Sequence, residues 1–141
     1  MSSLMQQLHR NLLAVISLTV ALTALGYNTY RNELSEANRN TRYAGFAMLQ
    51  ELAKLQLLAD YAHYDSDPDK GNPITGWGQL LYLRDMGPLV SKEVLTETGA
   101  LTEVWTNEWR TLRADEQSNQ RVTAAIDKVR EKVRRAISGL D

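Results

Sequence analysis

Two patterns of apolar residues succeed each other along this chain of 141 residues. From Leu12 to Tyr27 it reads LLAVISLTVALTALGY, apolar on every side, and no charge falls between Arg10 and Arg31. At about 1.5 Å per residue, the uncharged stretch 11–30 spans roughly 30 Å, one hydrocarbon core. A helix without a polar face would need partners all round if it were buried, and so short a chain cannot supply them. Residues 11–30 therefore predict a transmembrane helix. Beyond it, Leu34, Ala37, Thr41, Ala44, Met48, Leu52, Leu55, Ala59 and Ala62 recur three and four apart, the period of one helix face. The first helix is expected to run on as a stalk from Arg31 to Tyr64, until Asp67-Pro68 and Gly71-Asn72-Pro73 stop it.

Three more helical segments follow. A short one is predicted over Thr75–Met86, with Trp77, Leu80, Leu81 and Leu83 as its apolar stripe and Gly87-Pro88 as its end. A third, with Ser91 as N-cap, carries Val94, Leu95, Leu101, Val104, Trp105, Trp109 and Leu112 toward a core, and Gly99 is a candidate interruption. The fourth begins near Asp115. Its apolar face comprises Val122, Ala125, Ile126, Val129, Val133, Ala136, Ile137 and Leu140, with Lys128, Arg130, Lys132, Arg134 and Arg135 on the others. Alternating strand patterns and hairpin dipeptides are missing. The expected fold is all-α: an N-terminal transmembrane helix continuing into a long stalk helix, packed in an antiparallel bundle of about four helices. The domain plan is a tail over 1–10, a transmembrane signal anchor over 11–30 and a helical bundle domain over 31–141, with homodimerisation through the helix faces as the rival use of the stripes.

Charge and composition narrow the function classes. Residues 51–103 are predominantly acidic and 104–141 predominantly basic, within a net charge of −1, which suits internal pairing better than nucleic-acid binding. Cysteine is absent, so disulfides, thiolate metal sites and cysteine nucleophiles are excluded together. His9 lies in the tail, and His63 has no second histidine with which to share a metal. Neither a phosphate-cradling glycine loop nor the Glu-x-x-His pairs of di-iron bundles occur. No enzyme and no cofactor are expected.

The most site-like stretch runs from His63 to Gly78. Asp65, Asp67 and Asp69 alternate like the opening of a calcium loop, because a hard cation wants several carboxylate oxygens from a tight turn. With Asp65 as first ligand, however, Lys70 stands where glycine belongs and Gly76 where a bidentate glutamate belongs. The three aspartates thus remain candidate ligands for a divalent cation, against an interhelical loop in which Asp and Asn cap backbone groups. Tyr64, Trp77 and Tyr82 are candidate partner contacts, since such residues are enriched at interface hot spots; plugging the end of a bundle is the plainer use. Trp105 and Trp109, one turn apart, are expected in the core.

The tracts GYNTYRNELSEANRNTRYAGF and DYAHYDSDPDKGNPITGWG resemble a group of uncharacterised single-pass proteins of proteobacteria, a likeness that implies no activity. The order of parts also resembles the periplasmic four-helix sensor domain of chemoreceptors, although residues 115–141 lack the second apolar helix by which those receptors re-enter the membrane. Type IV pilins share the hydrophobic opening helix, but no acid precedes Glu33 to match their early glutamate. Ala24-Leu25-Gly26 offers the small residues a signal peptidase reads, yet no proline or turn follows through Ala62, which favours an uncleaved anchor. Arg10 flanks the anchor on one side and Arg31, Arg39 and Arg42 on the other. That count alone favours a cytoplasmic domain. The usual insertion of short signal anchors argues for the N-terminus inside and a periplasmic bundle, and that placement is the expectation. The resulting reading is a non-enzymatic interaction or scaffold protein of the cell envelope, held in the inner membrane through residues 11–30. The alternative is a ligand- or cation-sensing bundle using loop 63–78.

Overall fold

A computed structural model describes residues 6–7 and 10–140, and every described element is helical. Four α-helices are described in order: α1 over Leu12–Asp60, α2 over Pro73–Val90, α3 over Lys92–Glu108 and α4 over Glu116–Ser138, with a π-helical turn, Tyr61–Asp65, at the end of α1. The chain divides into two compact units, Met1–Ala37 and Asn38–Asp141. The first contains the opening part of α1. Its apolar window has a mean hydropathy of 1.6 and none of it is buried, so by length and composition this helix can cross a membrane.

The second unit is the bundle. Its core gathers Met48, Leu52, Leu55 and Ala59 of α1, Leu80 and Leu83 of α2, Val94, Leu101 and Trp105 of α3, and Val122, Ile126, Val129 and Val133 of α4. The expected stripe of α1 is buried from Ala44 onward, while Leu34 is exposed. On α4 the predicted face packs inward, and Gly45 of α1 lies so close to Val133 and Ile137 that a Cβ there would meet Ile137 Cδ1 at 2.6 Å. The Arg42 guanidinium donates to the carbonyl of Leu140, and Gln56 Nε2 donates to Thr123 Oγ1 at 3.0 Å.

Several helix limits differ from expectation: α2 starts at Pro73 rather than Thr75, and α3 ends at Glu108, which leaves Leu112 in the α3–α4 turn. Helix α2 does not end at Gly87-Pro88 but continues to Val90 with Pro88 inside it. A proline removes one donor, and so near the helix end that loss is offset by burial of Gly87 and Val90. Gly99 does not interrupt α3, where it is exposed with open space beyond it. The register of α2 also departs from its predicted stripe. The buried positions are Gly76, Leu80, Leu83, Gly87 and Val90, and Trp77 and Leu81 face outward. Leu95 of α3, expected in the core, is 38% exposed. Both differences come from the glycines: Gly76 receives the Trp105 indole, and Gly87 receives the backbone of Leu95, with 3.3 Å from its would-be Cβ to Leu95 Cα. A single residue, Ser91, turns α2 into α3. It is extended, and its Oγ accepts the Val94 N–H at 3.1 Å, the expected N-cap.

Candidate functional site

The sequence signals converge on the end of the bundle where α1 gives way to the 66–72 loop and α3 turns into α4. The π-turn widens the helix at Tyr61–Asp65 and closes on Ser66, the only non-glycine residue with positive φ (50°) among the described residues. Such bulges re-aim side chains where they occur. Here Ala62 meets the loop and His63 meets the α3–α4 turn. The loop can sit there only because residue 71 is glycine, since a Cβ would lie 2.6 Å from the Ala62 backbone.

Asp67 organises the loop. Its Oδ1 accepts the N–H groups of Asp69 and Lys70, each at 2.9 Å, and Lys70 Nζ stands 3.7 Å from Oδ2. The two backbone donors, Lys70 first, hold the Asp67 carboxyl below its ordinary range. Asn72 Oδ1 accepts the Ile74 N–H at 2.9 Å and caps α2. Asp65, Asp67 and Asp69 are not drawn into one site, and no group of three or more acidic, histidine or cysteine side chains among the described residues could hold a metal ion. Asp67 and Asn72 do what capping residues do.

His63 is the pivot of this end. Its Nδ1 lies 2.8 Å from the carbonyl oxygen of Leu112 and its Nε2 2.7 Å from Glu116 Oε2. Both partners are acceptors, so the ring satisfies both only as the imidazolium, donating from each nitrogen. The Leu112 carbonyl is the chief reason the His63 pKa is raised; desolvation opposes it, and Glu116 and the more distant Asp115 add to it. His9 lies outside the described residues.

The α3–α4 turn is fastened by charge. Arg121 donates from Nε and Nη2 to the two oxygens of Glu108 at 2.7 and 2.8 Å, and reaches Asp115 Oδ2 at 3.3 Å. Paired guanidinium donors of this kind are the strong form of ion pair, and they hold Glu108 below its ordinary carboxyl range. Asp115 caps α4 by accepting the Gln117 and Ser118 N–H groups.

Between these fastenings lies a cavity of about 280 Å³, walled by Leu58, Ala62, Leu112, Trp105 and Trp109 and edged by Arg110 and Arg113. Trp105 is wholly buried, as expected of a core residue, while Trp109 is only partly so. No motif in the sequence marked this cavity, because its walls come from three separate segments, the third being Gly71 and Pro73, and look like ordinary core residues.

The predicted contact residues are dispersed. Tyr64 is 70% exposed, stands edge-on to His63 at 4.6 Å and lines a groove with Gln56, Asn119 and Gln120. Trp77 lines a separate cleft with Leu80, Leu81, Arg84 and Thr102, and Tyr82 is exposed on α2. The class of protein these features define is an all-α, four-helix bundle whose first helix is long and apolar. Comparison with known protein families, with curated proteins and with solved structures finds no match.

Proposed function

We propose that this chain is a non-enzymatic interaction or scaffold protein of the cell envelope, anchored in the inner membrane through residues 11–30, with its bundle in the periplasm. The observation that carries the anchor is the bare apolar helix: a stretch with mean hydropathy 1.6 and no buried residue needs an apolar surround, and a bilayer is one. Tyr27 and Tyr30, both exposed at one end of the uncharged stretch, suit the interfacial belt where tyrosines sit. The interaction role is supported by aromatic residues left outside a well-filled core, namely Tyr43, Phe46, Tyr64, Trp77 and Tyr82. The partner is read as another envelope protein.

Photo-crosslinking amino acids placed at Tyr64, Trp77 and Tyr82 in living cells test this reading, with Gly99 and Lys128 as comparison positions. A discrete adduct from at least one of the three, and from neither comparison site, is the expected result, and an adduct of twice the chain's mass would identify a second copy as the partner. Uniformly absent adducts would overturn the role. A reporter fused after Asp141 that is active only in the cytoplasm would overturn the placement.

A further inference from the structure

We infer that the cavity between the π-turn and the α3–α4 turn is a binding site for a small organic monocarboxylate with an apolar carbon body. This goes beyond the anchored scaffold role and does not depend on it. The first argument is space and lining. An apolar cavity of about 150 Å³ accepts a benzene ring, and this one measures about 280 Å³, with leucine, alanine and indole walls. It has room for a ring or short alkyl chain and a head group.

The second argument is charge. The acids of the α3–α4 turn beside the cavity already have a cation or donor: Glu108 and Asp115 are bound by Arg121, and Glu116 by His63. Arg110 and Arg113 are different. Both are exposed at the cavity edge, and neither makes an ion pair or a side-chain hydrogen bond among the described residues. The Arg110 guanidinium lies 5.1 Å from the Trp109 ring centroid, which holds it beside the cavity wall. Two unneutralised guanidiniums beside an apolar recess favour a carboxylate, which such planar donors bind in pairs.

The third argument is a donor without an acceptor. Trp105 belongs to the cavity wall, and its indole Nε1 is buried with no hydrogen-bond partner among the described residues. Buried N–H groups are nearly always paired, and this one is left for an acceptor that the described residues do not provide. The contrast with the groove over Gln56 supports the sign of the ligand. There the acids Asp60, Glu116 and Asp127 are engaged by Gln56, His63 and Arg130 respectively, so no comparable demand for a cation arises.

The test uses the full chain in lipid nanodiscs at neutral pH, titrated with benzoate, hexanoate and the neutral benzamide, with empty nanodiscs as blank. Heat of binding is measured, together with tryptophan emission in a Trp77→Phe background that leaves Trp105 and Trp109 to report. Saturable binding of at least one carboxylate with a change in emission is expected, benzamide binding much more weakly. Each of Arg110→Gln and Arg113→Gln should weaken carboxylate binding about tenfold, the worth of one charge-assisted hydrogen bond. Arg84→Gln, beside the unrelated Trp77 cleft, should leave it unchanged. Circular dichroism checks that the variants remain helical. The inference is overturned if neither carboxylate binds saturably below about 10 mM, if benzamide binds as well as benzoate, or if Arg110→Gln/Arg113→Gln binds like the parent chain.

Discussion

His63 carries more of the bundle's end than its place in a loop-like sequence suggests. Because its folded pKa is raised above the ordinary 6.5, the protonated ring is the form the fold prefers. The stability it contributes is therefore complete below the unfolded value and is lost as pH rises through the folded one. Thermal melts of the full chain in nanodiscs between about pH 5.5 and 8.5 should fall with rising pH, and His63→Ala should flatten that fall. The same variant leaves the buried Leu112 carbonyl without its donor and should cost about 1–3 kcal/mol at the acid end. Glu116→Gln keeps the Leu112 contact and should remove part of the slope only. A pH profile of the parent chain identical to that of His63→Ala would show that the clamp contributes nothing. The sequence offered no hint of this role, since Leu112 and Glu116 are remote along the chain and an isolated histidine says nothing of what faces it.

Among the helices, glycine decides the packing of α2. Read by hydropathy alone, Trp77 and Leu81 belong to its inner face; in the bundle they are outside, and the seam is Gly76, Leu80, Leu83, Gly87 and Val90. Spacings of four and three are those of a coiled-coil seam, but two of its five positions carry no side chain to reveal it. A Cβ at Gly76 would stand 2.3 Å from Trp105 Cζ2, so Gly76→Ala forces the indole to move and should destabilise by about 1–3 kcal/mol. Gly99 meets open space within α3, so Gly99→Ala should stabilise by about 0.5–1 kcal/mol through lower entropy of the unfolded chain. Denaturant melts distinguish the two by sign. The Ser91 cap, by contrast, was legible, because a short polar side chain ahead of an apolar run acts within its own next three residues; for α4 the sequence placed only the start, near Asp115, and the structure shows that residue as its cap.

For the molecule as a whole, the two units differ in what surrounds their apolar residues: one keeps them exposed, and the other gathers them into a core. On the proposed reading the chain stays with membranes through alkaline washing. Substituting lysine for both Leu18 and Leu22 in the exposed stretch costs about 2.5–3.5 kcal/mol each at a bilayer centre and should shift the protein into the soluble fraction. Fractionation and immunoblotting measure this, and a doubly substituted chain that remains wholly in membranes would sink the anchor.

What the sequence determined by itself depends on neighbours along the chain: the bare apolar run, the three-and-four spacing of α1 and α4, the Ser91 cap and the helix-only class. These are short-range signals, written in periodicity and in side chains that act within a turn of their own backbone. The tertiary structure alone decided which face of α2 turns inward and that His63 finds Leu112 and Glu116. It also brought Leu58, Trp105 and two unpaired arginines around one cavity. Each of those depends on close approach between segments far apart in sequence, where the shape left by a missing Cβ or the charge left by an engaged partner settles the outcome.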